Sequence, residues 1–161
     1  MSENRLILIL EQNAVDASFL ERSFQEERIC NPARIVRTPE RMQCYLKGVG
    51  SYRNREVYPL PALLLLDLHY TNSGLDALRW LGAEGYLEKF PVVGIGHSIQ
   101  DAVVQHAFDL GLSGYFGKPG DLRQLAKMIC CLQWVEDLKP KIPDGLEIEI
   151  VTRAEFSSRD D

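Results

Sequence analysis

The run Ala62-Leu63-Leu64-Leu65-Leu66 is uninterruptedly apolar and stops at a carboxylate, Asp67. A strand covered by helices on both faces reads this way, and such strands belong almost entirely to parallel α/β sheets. In open sheets of that kind, ligands and chemistry sit at the carboxyl ends of the strands. Two further runs repeat the pattern. Leu6 to Leu10 ends at Glu11, and Gly114-Tyr-Phe-Gly117 ends at Lys118. If these three strands are neighbours, two carboxylates and an ammonium converge on one sheet edge.

Between the apolar runs the spacing is helical. The sequence predicts strands over 5–10, 33–37, 62–66, 91–95 and 114–117. Helix one is expected over 14–27, with Ala17, Leu20 and Phe24 on its buried stripe. Helix two starts after Thr38 as N-cap, has Pro39 in its first turn, and ends near Gly48. Helix three covers 75–84, with Gly82 and Gly85 marking its end. Helix four is entered from Ser98 and stops at Gly111. Asp121-Leu-Arg-Gln124 forms a capping box for helix five, whose stripe is Leu122, Leu125, Ala126 and Ile129.

Five βα units without a Gly-x-Gly-x-x-Gly turn predict a doubly wound, flavodoxin-like parallel sheet with strand order 2-1-3-4-5. The expected domain runs over 1–138. A C-terminal extension, 139–161, carries an alternating, edge-type strand at 146–151 and a disordered end. The irregular stretch 48–61 is long enough to be a functional surface or a passive insertion.

Composition narrows the function. The chain has 161 residues and a net charge of −5. Its basic residues (Arg34, Arg37 and Arg41; Arg53 and Arg55) have acids nearby and are expected on the solvated surface. No nucleic-acid partner is therefore expected. No apolar stretch reaches the roughly 20 residues of a membrane span, so no membrane partner is expected either. The four cysteines lack metal-like or disulfide-like spacing, which suits a reducing, cytoplasmic setting.

Four segments in order, Leu8-Ile-Leu-Glu-Gln-Asn13, Leu64-Leu-Leu-Asp-Leu68 with Gly74, Pro91-Val-Val-Gly-Ile-Gly96, and Gly111 to Pro119, resemble the receiver domain of two-component response regulators. The resemblance covers about Arg5 to Leu138. The stretch Leu46 to Tyr52, with Trp134 and Pro143, is similar to single-domain regulators associated with phytochrome histidine kinases.

The resemblance implies that Asp67 is the phosphoacceptor, that Lys118 pairs with it or with the phosphoryl group, and that Pro119 follows a cis Lys-Pro bond. It implies a Mg²⁺ site from Glu11, Asp67 and the backbone carbonyl of His69. Gln12 stands where an aspartate belongs, which removes one charge and weakens the metal site, so that Mg²⁺ binding is weak or absent. Gly96 stands where receivers place a Ser or Thr whose hydroxyl bonds the phosphoryl oxygen, and Tyr115 loses its usual trigger.

The expected function is a stand-alone, degenerate receiver that docks to other proteins, with weak or absent phosphorylation of Asp67. The alternative is a conventional Mg²⁺-dependent switch. A purely structural Asp67–Lys118 ion pair is the bland counterpart of both. Expected partners are a sensor histidine kinase, of phytochrome type, on the helix-one face with Asp16 and Glu21, and a second copy of the chain. The homodimer would use helix four (Val103, His106), strand five (Tyr115, Phe116) and helix five (Met128, Cys131).

An enzyme is not expected. Asp67-x-His69-x-Thr71 resembles the haloacid-dehalogenase nucleophile loop only in part, since His69 replaces the acid. A flavin or nucleotide binder lacks its phosphate loop at Gln12 to Val15.

Overall fold

A computed structural model describes residues 6–26, 33–68, 73–96, 101–117 and 150–152. Strands β1 (Ile7–Leu10), β2 (Ala33–Val36), β3 (Leu63–Asp67), β4 (Val92–Gly96) and β5 (Gly114–Gly117) alternate with helices α1 (Ala14–Glu26), α2 (Pro39–Lys47), α3 (Ser73–Ala83) and α4 (Asp101–Asp109). The five strands are parallel and lie in the expected order, β2-β1-β3-β4-β5. A further strand, β6 (Ile150–Thr152), pairs antiparallel with the outer edge of β5. It overlaps the strand expected at 146–151 at residues 150–151, extends one residue past it, and makes β5 an interior strand.

Burial explains why the apolar runs are continuous. On one face Leu8, Leu10, Leu64, Leu66 and Val92 join Met42 and Leu46 of α2, Leu78 and Leu81 of α3, and Val104, Ala107 and Phe108 of α4 in one cluster. The alternate residues Ile7, Ile9, Leu63 and Leu65 are equally buried on the other face, as are Ala17 and Leu20 of α1. Each fully buried Leu or Ile stabilises the fold by about 1.5–3 kcal/mol. A sheet with two buried faces carries no polar alternation to mark its ends. Observed strand limits accordingly differ from the expected ones by one or two residues, and Asp67 is the last residue of β3 rather than the residue after it.

The helix signals are local and are seen as expected. Thr38 Oγ1 accepts from Arg41 N–H at 3.2 Å, Pro39 opens α2, and Gly48 closes it at φ 67°. Asn13 Oδ1 accepts from Asp16 N–H at 2.9 Å and caps α1. The cap of helix four at Ser98, helix five, Trp134, the 138/139 boundary and the tail end all lie outside the described residues.

The stretch 48–61 is tightly packed. It holds a short 3-10 turn, Gly50–Tyr52. Tyr45, Tyr52 and Tyr58 contact one another with ring centroids 5.1–6.0 Å apart. Arg34 lies 4.6 Å above the Tyr58 ring and donates to the Val57 carbonyl. Arg55 donates to the carbonyls of Tyr45, Leu46 and Tyr58, closing the end of α2. Arg55 is exposed, as expected, like Arg41 and Arg53, and still tethers the backbone; Arg34 is half-buried, which corrects the expectation of solvated surface charge for that residue. Because this stretch leads into the start of β3, it sits at the end of the sheet opposite Asp67.

Candidate functional site

The carboxyl ends of β1 and β3 bring two acids together. Leu10 is paired with Leu66 in parallel register, so Glu11 and Asp67 follow side by side on adjacent strands. Both belong to the face packed by α1, by alternation from Ile7, Ile9, Leu63 and Leu65. Both are completely buried, at 0% exposure. Buried carboxylates demand hydrogen bonds or a counter-charge. Glu11 Oε1 accepts from Asn13 N–H at 3.2 Å. Among the described residues no hydrogen-bond donor reaches Oε2 of Glu11 or Oδ2 of Asp67, while both residues make other interactions.

Arg37 holds the turn that carries these groups. Its Nε donates to the Glu11 carbonyl at 3.1 Å and its Nη2 to the Gln12 carbonyl at 3.3 Å. Arg37 is exposed, as expected, and also acts as a tether. The guanidinium spans the mouth between β1 and β2 and fixes the backbone from which Glu11 and the half-buried Gln12 project.

On the β3 side, α3 starts hard against the strand end. A Cβ at Gly74 would lie 2.7 Å from the Asp67 carbonyl oxygen and 3.0 Å from Leu68 Cδ2. Glycine at this position lets the first turn of α3 pass directly over the Asp67 backbone.

The β4 side differs in kind. Asp67 is paired with Ile95, so Gly96 is one residue further along the neighbouring strand tip. Tyr115 is buried, at 1% exposure, in the cluster beneath α4. Its ring lies along β4 over two glycines. A Cβ at Gly94 would come within 3.1 Å of its Cδ2, and a Cβ at Gly96 would overlap its hydroxyl oxygen. The space that a side chain at 96 would need is filled by the Tyr115 hydroxyl.

Of the site residues expected from sequence, Glu11, Gln12, Asp67, Gly96 and Tyr115 gather at one end of the sheet. Lys118, Pro119 and His69 lie outside the described residues. The donor set of two carboxylates and one amide consists of hard oxygens and suits a divalent cation such as Mg²⁺, with one charge fewer than three carboxylates would offer. Among the described residues no group of three His, Cys, Asp or Glu is placed to hold a metal. Arg37, Asn13 and Gly74 were not singled out for these roles by sequence. Only the small residue at 74 carried a signal that could have shown its role, a glycine opening a helix just after the acidic strand end.

No family model matches the chain. It is 26% identical over 135 residues to response regulator Rcp1 of Synechocystis sp., across 82% of this chain and 90% of that protein. Its fold matches the Mn²⁺-bound form of Rcp1 with a TM-score of 0.63 at 25% identity, over 85% of this chain and 99% of the other. It also matches the phosphorylated cyanobacterial phytochrome response regulator RcpA with a TM-score of 0.64 at 26% identity, over 79% and 89% of the two chains. The chain has the receiver fold and is similar in sequence to response regulators.

In this chain the strand-end acids are buried and Gly96 at the β4 tip carries no side chain. Among the described residues no helix is long and apolar enough to cross a membrane.

Proposed function

We propose that this receiver is a cytoplasmic, phytochrome-linked signalling module that works by docking to protein partners and takes phosphate at Asp67 slowly or not at all. The observation that carries this reading is the state of the rim: a nucleophilic carboxylate present but fully buried, beside a metal position short of one charge and a strand tip without its hydroxyl.

The chemistry available to Asp67 is transfer from a phosphohistidine. A carboxylate oxygen attacks phosphorus, the P–N bond breaks, and the released imidazole nitrogen takes a proton from solvent. Glu11, Gln12 and Asp67 would hold the divalent cation that offsets charge on the phosphoryl oxygens, and Lys118 would supply a second positive charge by the resemblance. Gln12 lowers the first contribution. Burial of Asp67 adds a barrier, because whatever covers it must open before a donor reaches it.

Docking has surfaces to use. On α1 the exposed Val15 borders a groove lined with Ala14, Ser18, Phe19 and Arg22, which suits a kinase helix. On α4 the exposed His106 stands 3.4 Å from Arg79 of α3, next to the half-buried Val103, and would face a second copy of the chain.

Incubation with acetyl phosphate and Mg²⁺, followed by intact-mass analysis, tests the reading. Slow or no labelling of the wild type and none of Asp67→Asn is expected, with kinase binding unchanged by that substitution. Rapid, stoichiometric labelling together with kinase binding that requires Asp67 would favour the conventional switch. Labelling that persists in Asp67→Asn would remove Asp67 from the site.

A further inference from the structure

The chain has lost the side chain at position 96, but the space has not been left empty. The Tyr115 ring crosses β4 over Gly94 and Gly96, with its Cδ2 3.1 Å from the Cβ position of Gly94 and its hydroxyl inside the volume that a Cβ at Gly96 would occupy. Leu68 Cδ1 and Leu112 Cδ2, at 2.7 and 3.1 Å from the same Gly94 position, wall the trough on either side. The ring is buried, at 1% exposure. A phenolic hydroxyl thus lies beside the point from which a serine or threonine at 96 would project its own.

We propose that the Tyr115 hydroxyl is the hydroxyl of the phosphoryl site, donating a hydrogen bond to a phosphoryl oxygen carried by Asp67. The proposal rests on the phosphoacceptor reading of Asp67 and identifies a site residue for it. Adjacent strands lie about 4.8 Å apart, and Gly96 is one residue beyond Ile95, the register partner of Asp67. Asp67 rises on the α1 face and Tyr115 on the α4 face, so their polar groups converge only beyond the strand tips. That is where a group attached to Asp67 projects. A phosphoryl group at a water-poor sheet edge depends on fixed donors for its oxygens, and this donor is fixed before any anion arrives. Phosphorylation would then leave Tyr115 where it is, which fits a receiver that docks in one shape.

Beryllium fluoride with Mg²⁺, which forms a phosphoryl-like adduct on a carboxylate, is the probe, with affinity read by ¹⁹F NMR titration. The wild type is expected to bind it and Asp67→Asn is expected not to. Tyr115→Phe keeps the ring in its trough and is expected to weaken the adduct by about tenfold or more, the worth of a hydrogen bond to a charged group. The decisive variant is Tyr115→Phe with Gly96→Ser. Without the hydroxyl, the nearest ring atoms to the new Cβ are Cζ at 3.4 Å and Cε2 at 3.6 Å, ordinary contacts. The serine therefore fits, and most of the affinity should return. Thermal melts of each variant report folding separately. Wild-type affinity in Tyr115→Phe would overturn the proposal and leave the Asp67 reading standing. Loss without recovery in a folded double variant would overturn it as well. No Asp67-dependent adduct in the wild type would overturn the proposal together with Asp67 as a phosphoacceptor, and leave the docking reading standing.

Discussion

The two halves of the strand-end rim differ in kind. On the β1–β3 half, Glu11 and Asp67 keep their carboxylates and Arg37 pins their backbone, while Gln12 lacks only a charge. On the β4–β5 half, a whole side chain is missing at Gly96 and a neighbour, Tyr115, has taken its place. The first change weakens an interaction without altering packing. The second replaces a small group with a large, buried ring and so fixes a conformation. Loss of charge tunes a site by degrees, whereas loss of a side chain in a packed core forces a different occupant.

Substitutions separate the halves. The largest effect is expected from Asp67→Asn, which should abolish any phosphate incorporation from acetyl phosphate by mass analysis, because the nucleophile itself is gone. Next comes Gly96→Thr in the wild type. Its side chain cannot share space with the Tyr115 hydroxyl, so it should cost about 1–3 kcal/mol and lower Tm by about 2–4 °C per kcal/mol. A calorimetric melt unchanged from wild type would show that the ring can leave its trough cheaply. On the other half, Gln12→Asp should tighten Mg²⁺ by about tenfold through added charge alone, measured by isothermal titration, with little change in the melt.

The smallest effect belongs far from the rim. Tyr45 donates its hydroxyl to the Pro59 carbonyl at 2.9 Å, and Tyr45→Phe should cost about 1 kcal/mol with no effect at Asp67. Burial pushes this hydroxyl up to about 12 from 10.0, against a partial offset from Arg34 and Arg55. The folded chain thus holds the proton more tightly than the unfolded chain. The associated stabilisation is complete below pH 10 and declines as pH rises towards 12. Denaturation profiles across that range should fall more steeply for wild type than for Tyr45→Phe.

Much of this was legible from residues in a row. Continuous apolar runs marked the five parallel strands, and Thr38, Pro39 and Gly48 marked α2, because burial on two faces and capping are both written locally. The acids at Glu11 and Asp67 were legible because each ends such a run. What escaped were contacts between distant segments. The tethering by Arg34, Arg37 and Arg55 depends on carbonyls that no side-chain pattern reveals. The filling of Gly96 by Tyr115 depends on the register of β4 against β5. Two glycines at alternate positions of a buried strand, Gly94 and Gly96, were its visible trace, since glycine in a strand interior marks a close approach.

The preset half of the rim is tested most directly by the ¹⁹F signal of 3-fluorotyrosine at position 115, recorded before and after saturation with beryllium fluoride and Mg²⁺. A ring already seated over Gly94 and Gly96 should stay in one buried environment, with only a small shift from the new hydrogen bond. Conversion from a solvent-exposed to a buried signal on adding the anion would contradict it and restore a moving switch.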